Sequence, residues 1–190
     1  MIKLDRPVCP RPDQLAARVY NHAENKEALI NASYGKCMYC EALVRDVSFG
    51  EIEHIKPKIK YQHLEFVWEN LGFICQRCNN HKRDQYEDAM PYINPYDEDP
   101  EEFLLASGAY VVQKQGNARG EKTIMDISLN RPELIEHRQE LLNRVQKAID
   151  AAFRTPDPLK TVLLEQLKLE ASKEREFSFV ISSRLALESI

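Results

Sequence analysis

Long hydrophobic runs are missing from this 190-residue sequence: no apolar stretch approaches the roughly 18 residues of a membrane span. Met1 to Pro12 holds charges and three prolines but lacks the apolar stretch of a secretory signal. These two absences predict a cytoplasmic protein with no membrane partner. An excess of basic charge is also missing. The formal net charge of −4 excludes a uniformly basic nucleic-acid coat, though not a local basic face. There are no internal repeats and no low-complexity tracts. A phosphate loop is absent too: Gly116 to Thr123 has three residues between its glycines where the motif needs four, and Glu121 separates Gly120 from Lys122. We therefore reject an ATP site there and expect a turn. What is present is the composition of an ordinary soluble domain, 43% hydrophobic and 29% charged, long enough to bury a core.

The five cysteines carry more information. Four form two Cys-x-x-Cys pairs, Cys37/Cys40 and Cys75/Cys78, and Cys9 is left over. An odd count in a chain without an export signal argues against a disulfide framework. A redox Cys-x-x-Cys needs a thioredoxin-like βαβ setting, which the pattern does not offer. Two knuckles of this spacing suit one structural, tetrahedral Zn²⁺, because each tight turn lets two thiolates reach a metal at about 2.3 Å. Gly35 eases the first turn. The spacer from Glu41 to Ile74 exceeds the ~15–20 residues of a simple ribbon, so a folded element is expected between the knuckles.

Within that spacer, Leu43 to Val47 reads as a strand, Ser48-Phe49-Gly50 as a turn and Glu51 to Ile55 as a second strand ended by Pro57. Glu65 to Leu71 reads as a connector. From Cys75 the second knuckle runs into a helix reaching about Tyr86. The expected order is knuckle, hairpin, connector, knuckle, helix.

The motifs Cys37-x2-Cys40, Glu51-x-Glu-His-Ile-x-Pro-Lys58, Trp68-x-Asn-Leu71 and Cys75-x2-Cys-Asn-x2-Lys82 resemble the zinc-containing branch of the HNH endonuclease family. The resemblance implies a ββα-metal core in which Glu53 is a catalytic-metal ligand and His54 the general base. It implies that Asn70 holds the loop carrying the base, that Asn79 is the second metal ligand, and that Lys82 stands at its usual place. Two departures are visible: Glu53 stands where many members have Asp, and Asn79 where many have His. Both occur among active relatives. Asn94-Pro95, Phe103, Gly108, Thr123-Ile124, Leu129-Asn130 and Phe177 further resemble a narrower group, the PtuB-type HNH subunits of Septu and retron-linked anti-phage systems. That likeness implies a DNA substrate, a role in phage defence and a PtuA-type ATPase partner docked through the helical regions.

The residue types fit the chemistry. A neutral imidazole takes a proton from water near pH 7. A divalent cation polarises the phosphate, and hard oxygen ligands such as Glu53 and Asn79 suit Mg²⁺ or Mn²⁺. Successive strand residues face opposite ways, so Glu53 and His54 do not share a face of a regular strand. Glu51, which shares a face with Glu53, is the alternative carboxylate. Lys56, Lys58, Lys60, Arg77, Lys82 and Arg83 cluster around the motif in an otherwise acidic chain. They predict a phosphate-contacting face, with Lys56, Lys58, Arg77 and Lys82 as substrate-binding residues.

Around this core, Asp13 to Ala32 reads as one N-terminal helix, and Met90 to Glu102 as a proline-containing acidic linker. Tyr110 to Gln113 reads as a short strand. Pro132 to Phe153 is a strongly amphipathic helix, followed after a Pro-Asp-Pro break by a second from about Leu159 toward Leu187. These two are expected to form an αα-hairpin on the N-terminal helix, closing one core. The predicted organisation is an N-terminal helical segment (1–36), a nuclease core with the four-cysteine site (37–90) and a mainly helical extension (91–190). The fold class is α+β, a zinc-braced ββα-metal core embedded in a mostly helical frame.

Overall fold

The computed structural model describes residues 1–44 and 50–189. Two short helices open the chain, α1 (Pro12–Ala16) and α2 (Ala23–Ala32). The single N-terminal helix expected from the pattern is broken by a corner at Arg18, whose φ of 66° lies in the left-handed region. The first cysteine knuckle follows α2 directly.

Strand β1 (Glu51–His54) pairs antiparallel with β2 (Leu71–Ile74), Glu51 opposite Ile74 and His54 opposite Leu71. The partner expected for β1, the 43–47 strand and its turn, falls largely on residues 45–49 and so lies outside the described residues. The partner observed takes only its first residue, Leu71, from the expected connector and continues to the second knuckle. Leu71-Gly-Phe-Ile74 is buried at every position. A strand buried on both faces shows no alternation for the sequence to betray. Gly72 lets the first knuckle approach closely, since a Cβ there would meet the Met38 sulfur at 2.3 Å and displace that side chain. The backbone of Met38 also donates to the Phe73 carbonyl at 3.0 Å, seating the first knuckle on β2.

Helix α3 (Gln76–Lys82) begins at Cys75 and stops at Arg83, where φ is 47°, short of the expected Tyr86. A hairpin of β3 (Leu104–Ser107) and β4 (Tyr110–Gln113) turns at Gly108, φ 57°. The segment expected as a turn instead starts helix α4 (Ala118–Asp126), because the Asn117 side chain accepts from the Gly120 amide at 2.8 Å and caps it. Helix α5 (Pro132–Arg154) matches the amphipathic pattern. The second long helix is two helices, α6 (Leu159–Glu170) and α7 (Ser178–Ala186), separated by a bend at Phe177, φ 52°.

The core is also divided. The main cluster joins the knuckles, β1, β2, the β3–β4 hairpin and the start of α5. A second cluster of Val145, Ile149, Ala152, Leu167, Ile181 and Leu185 belongs to α5, α6 and α7 alone. The C-terminal helices thus close a core of their own, where one core on the N-terminal helix was expected.

Candidate functional site

The two knuckles converge because β2 delivers Cys75 beside the turn at Cys37–Cys40. The four cysteine sulfurs lie within 4.8 Å of one another. Cys40 and Cys75 are 3.8 Å apart, close to the ~3.8 Å that tetrahedral geometry with ~2.3 Å bonds requires. The donor set fits zinc. Hydrogen bonds from Cys37, Cys40 and Cys78 hold the Cys75 thiol below its usual range. Cys9 lies apart, 3.5 Å from Asn25 Oδ1. Arg131, immediately before α5, donates to Cys78 Sγ at 3.3 Å and lies 3.9 Å from the sulfurs of Cys40 and Cys75. Burial opposes its charge, yet the neighbouring thiolates raise its pKa.

His54 closes β1 and is buried. Its Nε2 lies 3.0 Å from the Glu65 carbonyl. A carbonyl only accepts, so Nε2 carries the proton and Nδ1 is left as the basic nitrogen. Burial, the largest influence, lowers the pKa of His54, and the hydrogen bond to Glu65 opposes it. Asn70 sits where the 56–64 loop returns. Its Nδ2 donates to the carbonyls of Lys56 at 3.0 Å and Leu64 at 3.1 Å, and its Oδ1 accepts from the Lys56 amide at 2.8 Å. One side chain therefore ties together both ends of the loop that follows His54.

Glu51 and Glu53 share the face of β1 that looks toward α3, while His54 looks the other way, toward Glu65. The buried Glu53 accepts from Lys82 Nζ, which also donates to the His54 carbonyl at 3.1 Å. Burial raises the pKa of Glu53, the Lys82 charge opposes this, and Glu51 adds to the rise. Asn79 lies against the alternative carboxylate, its Nδ2 donating to Glu51 Oε2 at 2.5 Å. Glu51 and Asn79 line an open cleft of about 490 Å³ with Tyr20, Asn21, Lys26, Gly50 and Ile52. The Glu51 carboxylate and the Asn79 amide oxygen are hard donors that suit a Mg²⁺-like cation, whereas Glu53 is engaged by Lys82 and does not line the cleft.

The expected basic face is reorganised. Lys82 is 0% exposed and cannot reach substrate; the Glu53 carboxylate and the His54 carbonyl draw it inward. Lys56 pairs with Asp88 at 2.8 Å. Lys58 reaches the Tyr20 hydroxyl at 3.2 Å and Glu65 at 3.6 Å. Arg77 pairs with Glu133 in a separate depression beside Cys75 and Arg131. Tyr20, Lys26 and Arg131 were not found from the sequence. They stand outside the motif, and only chain folding brings them to it.

Residues 37–85 match the HNH endonuclease family. The chain is similar to the Septu protein PtuB of Bacillus mycoides (strain KBAB4), 28% identical over 188 residues, covering 83% of this chain and 64% of that protein. It is similar also to the Septu protein PtuB of Bacillus thuringiensis, 27% identical over 175 residues, covering 84% of this chain and 67% of that one. The chain thus spans about two thirds of the length of the curated relatives it matches. No helix among the described residues is long and apolar enough to cross a membrane.

Proposed function

We propose, from the HNH endonuclease domain at residues 37–85, that this chain hydrolyses phosphodiester bonds of DNA in a divalent-cation-dependent reaction. The observation that carries the reading is the setting of His54. Its imidazole is buried, neutral and fixed through Nε2, with Nδ1 unbonded among the described residues, next to a strand face bearing Glu51 and Glu53. In this reading Nδ1 takes the proton of the attacking water. Asn70 is structural and holds the loop behind the base. Glu53 and Asn79 hold Mg²⁺ or Mn²⁺, with Glu51, already against Asn79, as a third oxygen donor. The cation, when bound, supplies neutralisation of charge on the phosphate and the leaving oxygen. The four cysteines hold Zn²⁺ as a brace that keeps α3 against β1. Lys56 and Lys58, on the loop after His54, are retained as substrate contacts reached by exchanging their surface partners, and Arg77 contacts nucleic acid beyond the zinc knuckle.

The likeness to Septu proteins supports a place in anti-phage defence, in the cytoplasm, with a PtuA-type ATPase subunit delivering or licensing the substrate. The test is plasmid nicking with Mg²⁺ or Mn²⁺ by the zinc-loaded chain, alone and with that partner, wild type beside His54→Ala. We expect His54→Ala to abolish nicking with zinc content and helicity unchanged. Undiminished cutting by that variant would overturn the assignment. Parallel lanes with single-stranded DNA and RNA fix the substrate class.

A further inference from the structure

The cleft that holds Glu51 and Asn79 has a second wall that does not come from the nuclease motif. Tyr20, Asn21 and Lys26 form it, and all three belong to the corner between α1 and α2 or to the start of α2. We propose that this corner completes the active site: Tyr20 is a positioning residue that fixes the His54 imidazole, and Lys26 binds a backbone phosphate of the nucleic acid. The proposal rests on the nuclease reading above and deepens it.

Tyr20 meets His54 edge-on, with ring centroids 4.7 Å apart and planes at 72°. The hydrogen bond from Nε2 to Glu65 fixes one atom of the imidazole but leaves the ring free to tilt about that bond. An aromatic neighbour in a T-shaped contact removes that freedom. Tyr20 is itself held by two further residues, Lys58 and Phe66. Its hydroxyl accepts from Lys58 Nζ at 3.2 Å, the Lys58 ammonium lies 4.6 Å from its ring centre, and Phe66 stands 6.3 Å away. The corner that presents it is built at a cost. Arg18 has φ 66° without being glycine, and its guanidinium lies 4.9 Å from the Phe66 ring centre. Such backbone strain persists only where the surroundings over-determine it. Here the buried Asn25 locks the start of α2 to Arg11 through bonds of 2.9 and 3.2 Å.

Lys26 differs from the basic residues of the motif. Lys56, Lys58, Arg77 and Lys82 each have a carboxylate partner, whereas Lys26 forms no ion pair among the described residues. It lines the same cleft as Glu51 and Asn79. A lysine there meets a phosphate as a point charge.

The test uses the zinc-loaded full chain, with any partner subunit needed for turnover, and a short labelled duplex with Mg²⁺. Tyr20→Leu, which keeps an apolar filler, is expected to lower kcat about 10–100-fold with KM nearly unchanged, as misplacement of a catalytic group does. Tyr20→Phe keeps the ring and is expected to restore most of kcat. Lys26→Gln is expected to raise KM with kcat unchanged and to reduce the salt dependence of duplex binding by about 0.9 in log–log slope, one phosphate contact. Two measurements do not depend on cleavage. In NMR spectra the His54 imidazole protons, identified by their loss in His54→Ala, are expected to shift in Tyr20→Leu and to hold in Tyr20→Phe. Binding of the duplex by the His54→Ala chain is expected to weaken when Lys26→Gln is added. Unchanged His54 resonances with wild-type kcat in Tyr20→Leu would overturn the first half, and an unchanged salt slope in Lys26→Gln the second. A wild-type chain that never cuts would instead remove the nuclease reading, while the NMR and binding results still decide the contacts.

Discussion

A buried histidine titrates lower than an exposed one, because the interior penalises the imidazolium. His54 is in that position, and the hydrogen bond to the Glu65 carbonyl only partly offsets its burial. In the proposed reaction His54 is the general base, which works when neutral. Its fraction neutral therefore stays high at pH values where an ordinary histidine near 6.5 is already protonated. We expect the acidic limb of the kcat/KM profile to fall below pH 6.5, with activity lost only as pH drops through the lowered value. A rate profile from about pH 5 to 8 checks this, and a limb at or above the ordinary value would contradict it. Lys82 illustrates the opposite hazard of reading a side chain by type. A lysine in a nuclease motif suggests phosphate, but this one is buried against Glu53, where its charge keeps a desolvated carboxylate tolerable.

Among the elements, α5 has a part that its amphipathic pattern hides. Its apolar stripe explains Leu134, Leu142, Val145 and Ile149, all buried. The residue just before it, Arg131, reaches back to the cysteine cluster, with sulfur contacts at 3.3 and 3.9 Å. Four thiolates around a divalent cation leave net negative charge, and a guanidinium beside them offsets it and orients the sulfurs. Outer partners of this kind are worth about 10–100-fold in metal affinity. Arg131→Ala is therefore expected to weaken zinc binding by that factor, measured by chelator competition. Arg131→Lys should recover part of it through charge alone. Equal zinc affinity in all three proteins would make the contact incidental.

At the level of the whole molecule, the two apolar clusters and a buried ionic centre around Glu41 frame the segment between the two cysteine knuckles. Glu41, next to the first knuckle, pairs with the Met1 amine at 2.6 Å and lies 3.6 Å from Lys36. It also accepts from Ser178 Oγ at 2.9 Å, so α7 is tied to the first cysteine knuckle. The second cluster sits beyond that tie, among α5, α6 and α7. Ile149→Ala, 2% exposed there, is expected to destabilise the protein by about 2–5 kcal/mol. Urea unfolding measures the loss, and zinc content should be unchanged, because the cavity opens outside the cluster that contains the cysteines.

The amino-acid sequence by itself determined the two cysteine pairs, the order of the motif around His54 and the long helix α5, since each rests on short spacing or on periodicity within one element. It also singled out Asn79 by resemblance and Glu51 as the alternative carboxylate, though not as partners of each other. Tertiary structure alone decided that β1 pairs with the fully buried β2, that Lys82 turns inward to Glu53, that Tyr20 and Lys26 line the cleft with Glu51 and Asn79, and that Arg131 stands at the cysteine cluster. These depend on contacts between residues far apart along the chain, such as Tyr20 and His54, or Arg131 and Cys40. No local pattern records such contacts, because only the burial of the whole core brings those residues together.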